Sequence, residues 1–216
     1  MLERMDDFFA ARIEGYEEHM KTEIRGGSEF YDFTAALLPK APGARVLDLG
    51  CGTGLELEAL FALNPTAKVT GIDLSPVMLD ALRAKFPEKD VTLIQGSYFD
   101  VPFGEAAFDA AVSVESLHHF PADDKEALYR RLCAALADGG VFALTDYFAE
   151  SDEMEKLYFR ELDALRREQG LSGDVIVHYD TPLTIEHEMA ILRRAGFAET
   201  TVLKKWGGSY TLVAKK

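Results

Sequence analysis

The stretch "VLDLGCGTGLELEAL", Val46 to Leu60, joins a short apolar run to a helix-like pattern through three alternating glycines. Gly50, Gly52 and Gly54 permit a sharp turn whose backbone is free of side chains. The helix that follows presents its amino end and free N–H groups at the carboxyl edge of a sheet. The stretch therefore predicts a strand, a ligand-binding turn and a helix.

The chain beyond this stretch repeats the order of strand and helix. A helix from about Gly54 to Asn64 is followed by "KVTGID" and a helix from about Ser75 to Phe86. The segments "VTLIQG" and "FDAAVSV" come next, and a helix around Asp123 to Ala137 leads to "GVFALTDY". Short apolar strands separated by helices indicate a mostly parallel sheet covered on both faces. We predict an α/β fold with a Rossmann-like, seven-stranded sheet.

The end of the chain departs from this alternation. Thr184 to Ala195 is predicted to be a capped helix, and "FAETTVLKKW" and "SYTLVAK" follow as strands joined by Gly207 and Gly208. So short a connection suits a hairpin and is too short for a parallel crossover. One of the last two strands should therefore run antiparallel to the rest.

Composition restricts the class of protein. The chain has 216 residues, of which 48% are hydrophobic, and a formal net charge of -14. We expect a single domain, in the cytoplasm and away from membranes, because no apolar run reaches 18 residues. Nucleic-acid binding is disfavoured since it needs a concentrated basic surface. The two cysteines, Cys51 and Cys133, are expected to be reduced.

The spacing of glycines and acids distinguishes between ligand classes. A dinucleotide fingerprint requires a third glycine where this chain has Leu55, and Asp48 before the turn suits an ammonium group better than a diphosphate. Asp73 ends the next strand, where a carboxylate can accept hydrogen bonds from both ribose hydroxyls. Leu74 and Met78 offer apolar surface to an attached base. Two simpler interpretations stay open: a tight turn without a ligand, and an Asp73 that only caps the following helix.

These residues carry a resemblance to the class I S-adenosylmethionine-dependent methyltransferases. "VLDLGCGTG" matches the first motif of that family, "GIDLSPVML" resembles its ribose-binding segment, and "GSYFDVPFGEAAFDAAVSVESLHHF" resembles its adenine loop and fourth strand. "GGVFALTDY" and "LRRAGF" fit its later blocks. The resemblance implies that S-adenosyl-L-methionine is the cofactor and S-adenosyl-L-homocysteine the product.

The resemblance also implies roles for individual residues. Asp48, Gly50, Gly52 and Gly54 would surround the methionine part of the cofactor, with Cys51 inside the turn, and Asp73 would bind the ribose. Glu115 would contact the amino group through its main chain. Ser97 stands where the family commonly has an Asp that contacts adenine, and Tyr98 can pack on the ring, with Asp100 a nearby substitute for the carboxylate.

Methyl transfer from a sulfonium is an in-line displacement, so the protein mainly aligns donor and acceptor. A general base helps if the acceptor is a hydroxyl or thiol. We predict His119 and His178 for this role among a wider set of candidates, which also includes His118, Asp146, Tyr147 and Tyr179. No clustered His and carboxylate set appears in the sequence, so no metal is expected.

Two segments outside the sheet are expected to select the acceptor. Residues 1–40 form a predicted helical cap with an amphipathic stripe, and residues 151–180 form a predicted lid insertion with a helix over Ser151 to Gly170. Tyr16, His19 and Tyr31 can reach the cofactor from the cap. The favoured function is methylation of a small molecule by a monomer or homodimer. A protein or RNA methyltransferase, a non-catalytic cofactor-binding protein and a nucleotide-dependent oxidoreductase are the alternatives.

Overall fold

One sheet organises the chain, and a computed structural model describes it over residues 1–216. Its strands are β1 (Arg45–Leu49), β2 (Lys68–Asp73), β3 (Val91–Gln95), β4 (Phe108–Val114), β5 (Leu136–Tyr147), β6 (Glu199–Trp206) and β7 (Ser209–Lys215). Their order across the sheet is β3-β2-β1-β4-β5-β7-β6. Strands β1 to β5 are parallel, and β7 is antiparallel to both of its neighbours. The predicted seven-stranded α/β fold with an antiparallel C-terminal strand is confirmed.

Eight helices and one 3₁₀ turn surround the sheet. They are α1 (Met5–Ala11), α2 (Tyr16–Thr22), α3 (Gly27–Ala35), α4 (Leu55–Leu63), α5 (Pro76–Lys85), the 3₁₀ turn (Leu117–His119), α6 (Ala122–Ala135), α7 (Asp152–Gln169) and α8 (Ile185–Arg194). None of these helices combines the length and apolar character needed to cross a membrane. The predicted helices from α4 onward lie within two residues of the observed ones at each end.

The amino-terminal segment differs from its prediction. The amphipathic stripe is distributed over the three short helices α1, α2 and α3. Gly15 and Gly26 precede α2 and α3 with φ of 85° and 84°, a left-handed conformation that interrupts the hydrogen-bonding pattern of a continuous helix.

The core lies on both faces of the sheet, as continuous apolar strands require. Val46, Leu47 and Leu49 of β1 are completely buried. One face packs against α6 and α8, and the other packs against α3, α4 and α5. A buried ion pair joins α6 to α8, because Lys125 Nζ donates to Glu188 Oε2 at 2.8 Å. The Tyr129 hydroxyl also donates to Glu188.

The first residues of the chain pair with the end of the insertion. The Met5 amide donates to the Ile176 carbonyl at 3.1 Å, and the His178 amide donates to the Glu3 carbonyl at 3.0 Å. Arg4 and Val177 form an antiparallel bridge between them. These bonds hold α1 and residues 176–178 together, next to the edge of the sheet where the strands end.

Candidate functional site

The turn after β1 has the bare backbone that its glycines predict. Gly50 and Gly52 have φ of 76° and 48°, in the left-handed region. A Cβ on Gly50 would lie 2.1 Å from Ser116 Oγ, so the polypeptide itself fills that space. A Cβ on Gly52 would have only one atom within 4 Å, the Tyr16 hydroxyl oxygen at 3.6 Å. Gly52 therefore faces open space, and its missing side chain leaves room for a ligand.

The amides of this turn are bonded within the protein. The Gly50 and Cys51 amides both donate to the Ile72 carbonyl, at 2.9 Å and 3.2 Å. The Gly52 amide donates to Asp73 Oδ2 at 2.9 Å. These three N–H groups hold the turn against β2. The turn therefore offers a ligand its open shape and its carbonyl groups.

Asp73 is hydrogen-bonded to backbone amides and also lines a cavity. Its Oδ1 accepts a hydrogen bond from the Ser75 amide at 2.8 Å, while Ser75 Oγ accepts from the Met78 amide at 3.5 Å and caps α5. The carboxylate also forms part of a cavity wall. Burial raises the pKa of Asp73, and the hydrogen bonds from Ser75, Gly52 and Leu74 oppose that rise. A fixed carboxylate thus faces the cavity at the end of β2.

This cavity, the glycine-turn cleft, lies between the sheet edge and α1. The predicted cofactor residues that line it are Tyr16, Gly50, Gly52, Asp73, Leu74, Met78, Tyr98 and Glu115. His119, predicted as a base, lines it too. Seven further residues of the cleft wall were not predicted from the sequence: Met5, Asp6, Phe9, Ser75, Val114, Ser116 and Phe120. Adjacency to Glu115 was the available signal for Ser116, and the apolar stripe was the signal for Phe9.

Four of the predicted cofactor residues lie outside the wall of the cleft. They are Asp48, Cys51, Gly54 and Ser97. Gly54 is the N-cap of α4, and Cys51 is 2% exposed within the core. Ser97 Oγ accepts a hydrogen bond from the Phe99 amide at 3.1 Å, which turns this side chain into its own loop. Its contact with adenine stays a prediction.

Asp48 is buried beneath the turn. Its two oxygens receive no hydrogen bond from an amide or hydroxyl donor, and burial followed by the charge of Glu56 raises its pKa well above the ordinary value. A carboxyl group with a raised pKa favours its neutral form. The predicted contact of Asp48 with the methionine part of the cofactor stays a prediction.

A second, larger cavity adjoins the glycine-turn cleft. This histidine cavity has a volume of about 650 Å³ and is lined by side chains from the amino-terminal segment, the 3₁₀ turn and the insertion. Its aromatic and titratable lining residues include Phe8, Arg12, His118, Tyr147, His178 and Asp180. Four residues line both cavities: Phe9, Tyr16, Glu115 and His119. The two cavities therefore adjoin at these side chains.

Glu115 stands at this junction in a strained conformation. Its φ is 49°, unusual for a residue other than glycine, and its amide donates to the Thr145 carbonyl at 2.8 Å. Its Oε1 is buried without a hydrogen-bond partner. Burial and the nearby charge of Asp146 raise the pKa of Glu115 to about 7, although the charge of His118 opposes them. An acid in this state can hold a cationic or hydrogen-bonding ligand group.

The polar end of the histidine cavity combines His118 with two carboxylates. His118 Nδ1 donates to Asp146 Oδ1 at 2.5 Å, and Nε2 lies 3.4 Å from Asp180 Oδ1. Burial opposes the positive charge of this ring, but Asp146 and Asp180 outweigh burial and raise the pKa of His118 to about 10. The sequence showed no clustered ligand set, whereas the fold brings these groups together.

His119 has the opposite electrostatic character. Burial, followed by the charge of His118, lowers its pKa well below the ordinary value, so the ring is neutral. Its Nδ1 donates to the Tyr179 carbonyl at 3.1 Å and lies 3.4 Å from Asp180 Oδ1.

His178 lies further out, in the histidine cavity only. Its ring stacks on Phe8 with a centroid distance of 3.5 Å and an interplanar angle of 6°. Its centroid is 4.9 Å from that of His119. The structure thus brings both predicted bases to one cavity but places only His119 at the junction. His19 lines this cavity as well, while Tyr31 is buried in the core and lines neither cavity.

Comparison with known proteins supports one family for this geometry. A family model for the methyltransferase domain matches residues 46–140. The chain is 30% identical to the carboxy-S-adenosyl-L-methionine synthase of Chromohalobacter salexigens over 188 residues, covering 81% of this chain and 69% of that protein. It is also 30% identical to the 27-O-demethylrifamycin SV methyltransferase of Amycolatopsis mediterranei over 185 residues, covering 84% of this chain and 64% of that protein.

The fold agrees with these sequence relationships. A solved structure of a candidate O-methyltransferase from Nostoc punctiforme superposes with a TM-score of 0.69 at 22% identity, covering 93% of this chain and 60% of that one. The matching region of the family model begins in β1 and includes the glycine turn, Asp73 and the 3₁₀ turn. This chain belongs to the class I S-adenosylmethionine-dependent methyltransferases.

Proposed function

We propose that this protein transfers the methyl group of S-adenosylmethionine to a small molecule bound in the histidine cavity. The observation that carries the proposal is the junction of two cavities at Phe9, Tyr16, Glu115 and His119. A methyl donor in one cavity and an acceptor in the other meet at a single boundary. Such positioning is the main contribution of a protein to a displacement whose reactive group belongs to the cofactor.

The glycine-turn cleft fits the cofactor on three observations. Gly52 leaves space where a Cβ would project, Asp73 is fixed at the end of β2, and Glu115 Oε1 is buried without a partner. We assign the ribose hydroxyls to Asp73, the adenine ring to Leu74, Met78 and Tyr98, and the amino group to Glu115. When bound, S-adenosylmethionine supplies a methyl group activated by a sulfonium.

The histidine cavity supports a small acceptor. Its volume of about 650 Å³ lies within the range of sites for small ligands. Phe8 and His178 present stacked rings, which suit a planar or apolar part of the acceptor, and His119 faces the reacting end. The name of the Amycolatopsis relative, a methyltransferase of a demethylrifamycin, supports the same substrate class. Hydrogen bonds join α1 to residues 176–178, and both segments contribute side chains to the wall of the histidine cavity, which supports a role for them as a lid.

A labelling experiment tests this function. The protein is incubated with S-adenosylmethionine carrying a deuterated methyl group and with a metabolite extract, and mass spectrometry identifies the compounds that gain the label. We expect one or a few small molecules to be labelled. If the protein binds S-adenosylmethionine but labels only protein or RNA, or nothing, the small-molecule function is refuted in favour of the corresponding alternative.

His119→Ala and His178→Ala separate the roles of the two rings. With a hydroxyl acceptor, we expect His119→Ala to lower kcat about 10²-fold or more, the usual effect of a lost acid–base group. We expect His178→Ala mainly to raise KM, because its ring stacks in the cavity wall. His187→Ala is the matched control, since His187 is exposed and lines neither cavity. Unchanged turnover in His119→Ala with normal cofactor binding would remove His119 from the mechanism. The cytoplasmic location and the monomeric or homodimeric state stay predictions.

A further inference from the structure

His118, His119 and Asp180 form a cluster at the polar end of the histidine cavity. Their candidate ligating atoms all lie within 4.8 Å of one another. The two histidines belong to the 3₁₀ turn after β4, and Asp180 belongs to the end of the insertion. The Thr181 amide donates to the His118 carbonyl at 2.9 Å and fixes one segment against the other. The cluster is therefore built by tertiary structure and is not a local feature of one loop.

The spacing in this cluster is that of a coordination shell. Asp180 Oδ1 lies 3.4 Å from His118 Nε2 and 3.4 Å from His119 Nδ1. Both distances exceed the usual length of an N–H···O hydrogen bond. Neighbouring ligands of a tetrahedral ion with bonds of about 2.0–2.1 Å are separated by about 3.4 Å. Two of the three separations thus match the ligand spacing of a small divalent ion, and the separation of the two histidine nitrogens is at most 4.8 Å.

The surroundings of His118 support the same interpretation. Its Nδ1 donates to Asp146, which is 1% exposed and accepts further hydrogen bonds from the Leu117 amide at 2.9 Å and the Tyr147 amide at 3.0 Å. This arrangement directs Nε2 toward Asp180. A carboxylate that holds the far nitrogen of a ligating histidine is a common partner in metal sites.

Two protons compete with an ion. Although burial opposes it, the pKa of His118 is raised to about 10 by Asp146 and Asp180, so its Nε2 carries a proton that an ion must replace. His119 Nδ1 donates to the Tyr179 carbonyl at 3.1 Å, so an ion at this nitrogen must replace its proton. Metal binding to histidine generally releases protons in this way.

We propose that His118, His119 and Asp180 bind one divalent cation of the zinc type, with a fourth position open to the histidine cavity. Two imidazole nitrogens and one carboxylate oxygen are ligands that zinc prefers, and three protein ligands leave an exchangeable site. Binding of the ion does not depend on the proposed function. Its role in the reaction does rest on that function.

The open position would receive an oxygen of the acceptor. When bound, the ion would favour loss of the proton of an acceptor hydroxyl to water, because its charge would stabilise the deprotonated oxygen. The oxygen then forms a bond to the methyl carbon while the carbon–sulfur bond breaks and its electron pair stays on sulfur. The products are the methyl ether, S-adenosylhomocysteine and one proton. In this reaction scheme His119 binds the ion and does not act as the general base.

Metal binding is measured without reference to turnover. The protein is treated with a chelator, dialysed and titrated with ZnCl₂ by calorimetry, and a parallel sample is titrated with CoCl₂ and followed by visible absorption. We expect one site per chain and the intense absorption of four- or five-coordinate cobalt. Absence of a one-to-one site in the wild-type protein would overturn the proposal, whatever the behaviour of the variants.

Variants assign the site. Asp180→Asn and His118→Ala should each weaken zinc binding at least 10-fold, and Asp146→Asn should weaken it about 10- to 100-fold by releasing the ring. His187→Ala is the matched control, because His187 lies 2.9 Å from Glu155 and 3.8 Å from Asp152 but has no second histidine in its cluster. Wild-type affinity in Asp180→Asn, or loss of the site in His187→Ala, would refute the assignment.

The two proposals fail in distinguishable ways. Calorimetry with S-adenosylmethionine on the chelator-treated protein reports the cofactor site without the ion, and of the three proposed ligands only His119 lines the glycine-turn cleft. Labelling of a small molecule by a protein that binds no metal would refute the metal site and leave the methyltransferase function intact.

Discussion

Gly52→Ala tests whether the glycine turn faces the cofactor. Gly52 has φ of 48°, and a Cβ there would have only the Tyr16 hydroxyl oxygen within 4 Å, at 3.6 Å. The unliganded fold can therefore accept the methyl group at the cost of a left-handed alanine, about 1 kcal/mol. For a chain of this size that cost lowers Tm by about 2–4 °C.

The effect on the cofactor should be larger than the effect on the fold. A methyl group forced into occupied, well-packed space costs about 1–3 kcal/mol, which weakens binding about 5- to 150-fold. Calorimetry with S-adenosylmethionine measures this loss, and thermal unfolding measures the change in stability. Wild-type affinity in Gly52→Ala would refute the claim that this turn faces the cofactor.

Gly139→Ala provides the matched control. Gly139 has φ of 74° and nothing within 4 Å of a Cβ, and it lies in β5 away from both cavities. Gly139→Ala should lose about 1 kcal/mol of stability for the same conformational reason and should bind S-adenosylmethionine with wild-type affinity. Equal losses of affinity in the two variants would attribute the effect to backbone strain in general.

Two further perturbations test the cofactor contact and the core. Asp73→Asn removes the charge that assists its hydrogen bonds, and we expect S-adenosylmethionine to bind about 10- to 150-fold more weakly by calorimetry; an unchanged Kd would exclude Asp73 from the ribose site. Lys125→Met leaves Glu188 buried without its cation and should lower the free energy of unfolding by about 3–5 kcal/mol in urea. Lys125→Met/Glu188→Leu/Tyr129→Phe should recover most of that loss, because it also removes the hydroxyl that donates to Glu188. A triple variant no more stable than the single one would show that the unpaired charge of Glu188 does not cause the loss of stability.

Local signals in the sequence predicted most of the fold. Ser75 caps α5 with Pro76 at its first position, and the glycine turn separates β1 from α4, so helix bounds followed from residues within each segment. The continuous stripe of the amino-terminal segment gave no comparable signal. Its apolar residues have helical spacing throughout, yet Gly15 and Gly26 divide it.

The cofactor side of the site was also largely predictable, because Gly52, Asp73 and Glu115 follow the ends of three neighbouring strands. The histidine cavity could not be predicted from the sequence. His118 and Asp180 are 62 positions apart in the sequence, and a tertiary hydrogen bond from the Thr181 amide to the His118 carbonyl holds their segments together. The burial of Asp48 could not be predicted either, because a sequence motif specifies residue types but not the direction of a side chain.

A structure of the protein bound to S-adenosylhomocysteine tests the central claim most directly. The claim is that donor and acceptor occupy neighbouring cavities that meet at Glu115 and His119. We predict that the ribose hydroxyls contact the Asp73 carboxylate, and that the sulfur faces the histidine cavity between Glu115 and His119. A product molecule bound elsewhere, or one whose sulfur faces away from the histidine cavity, would contradict the account.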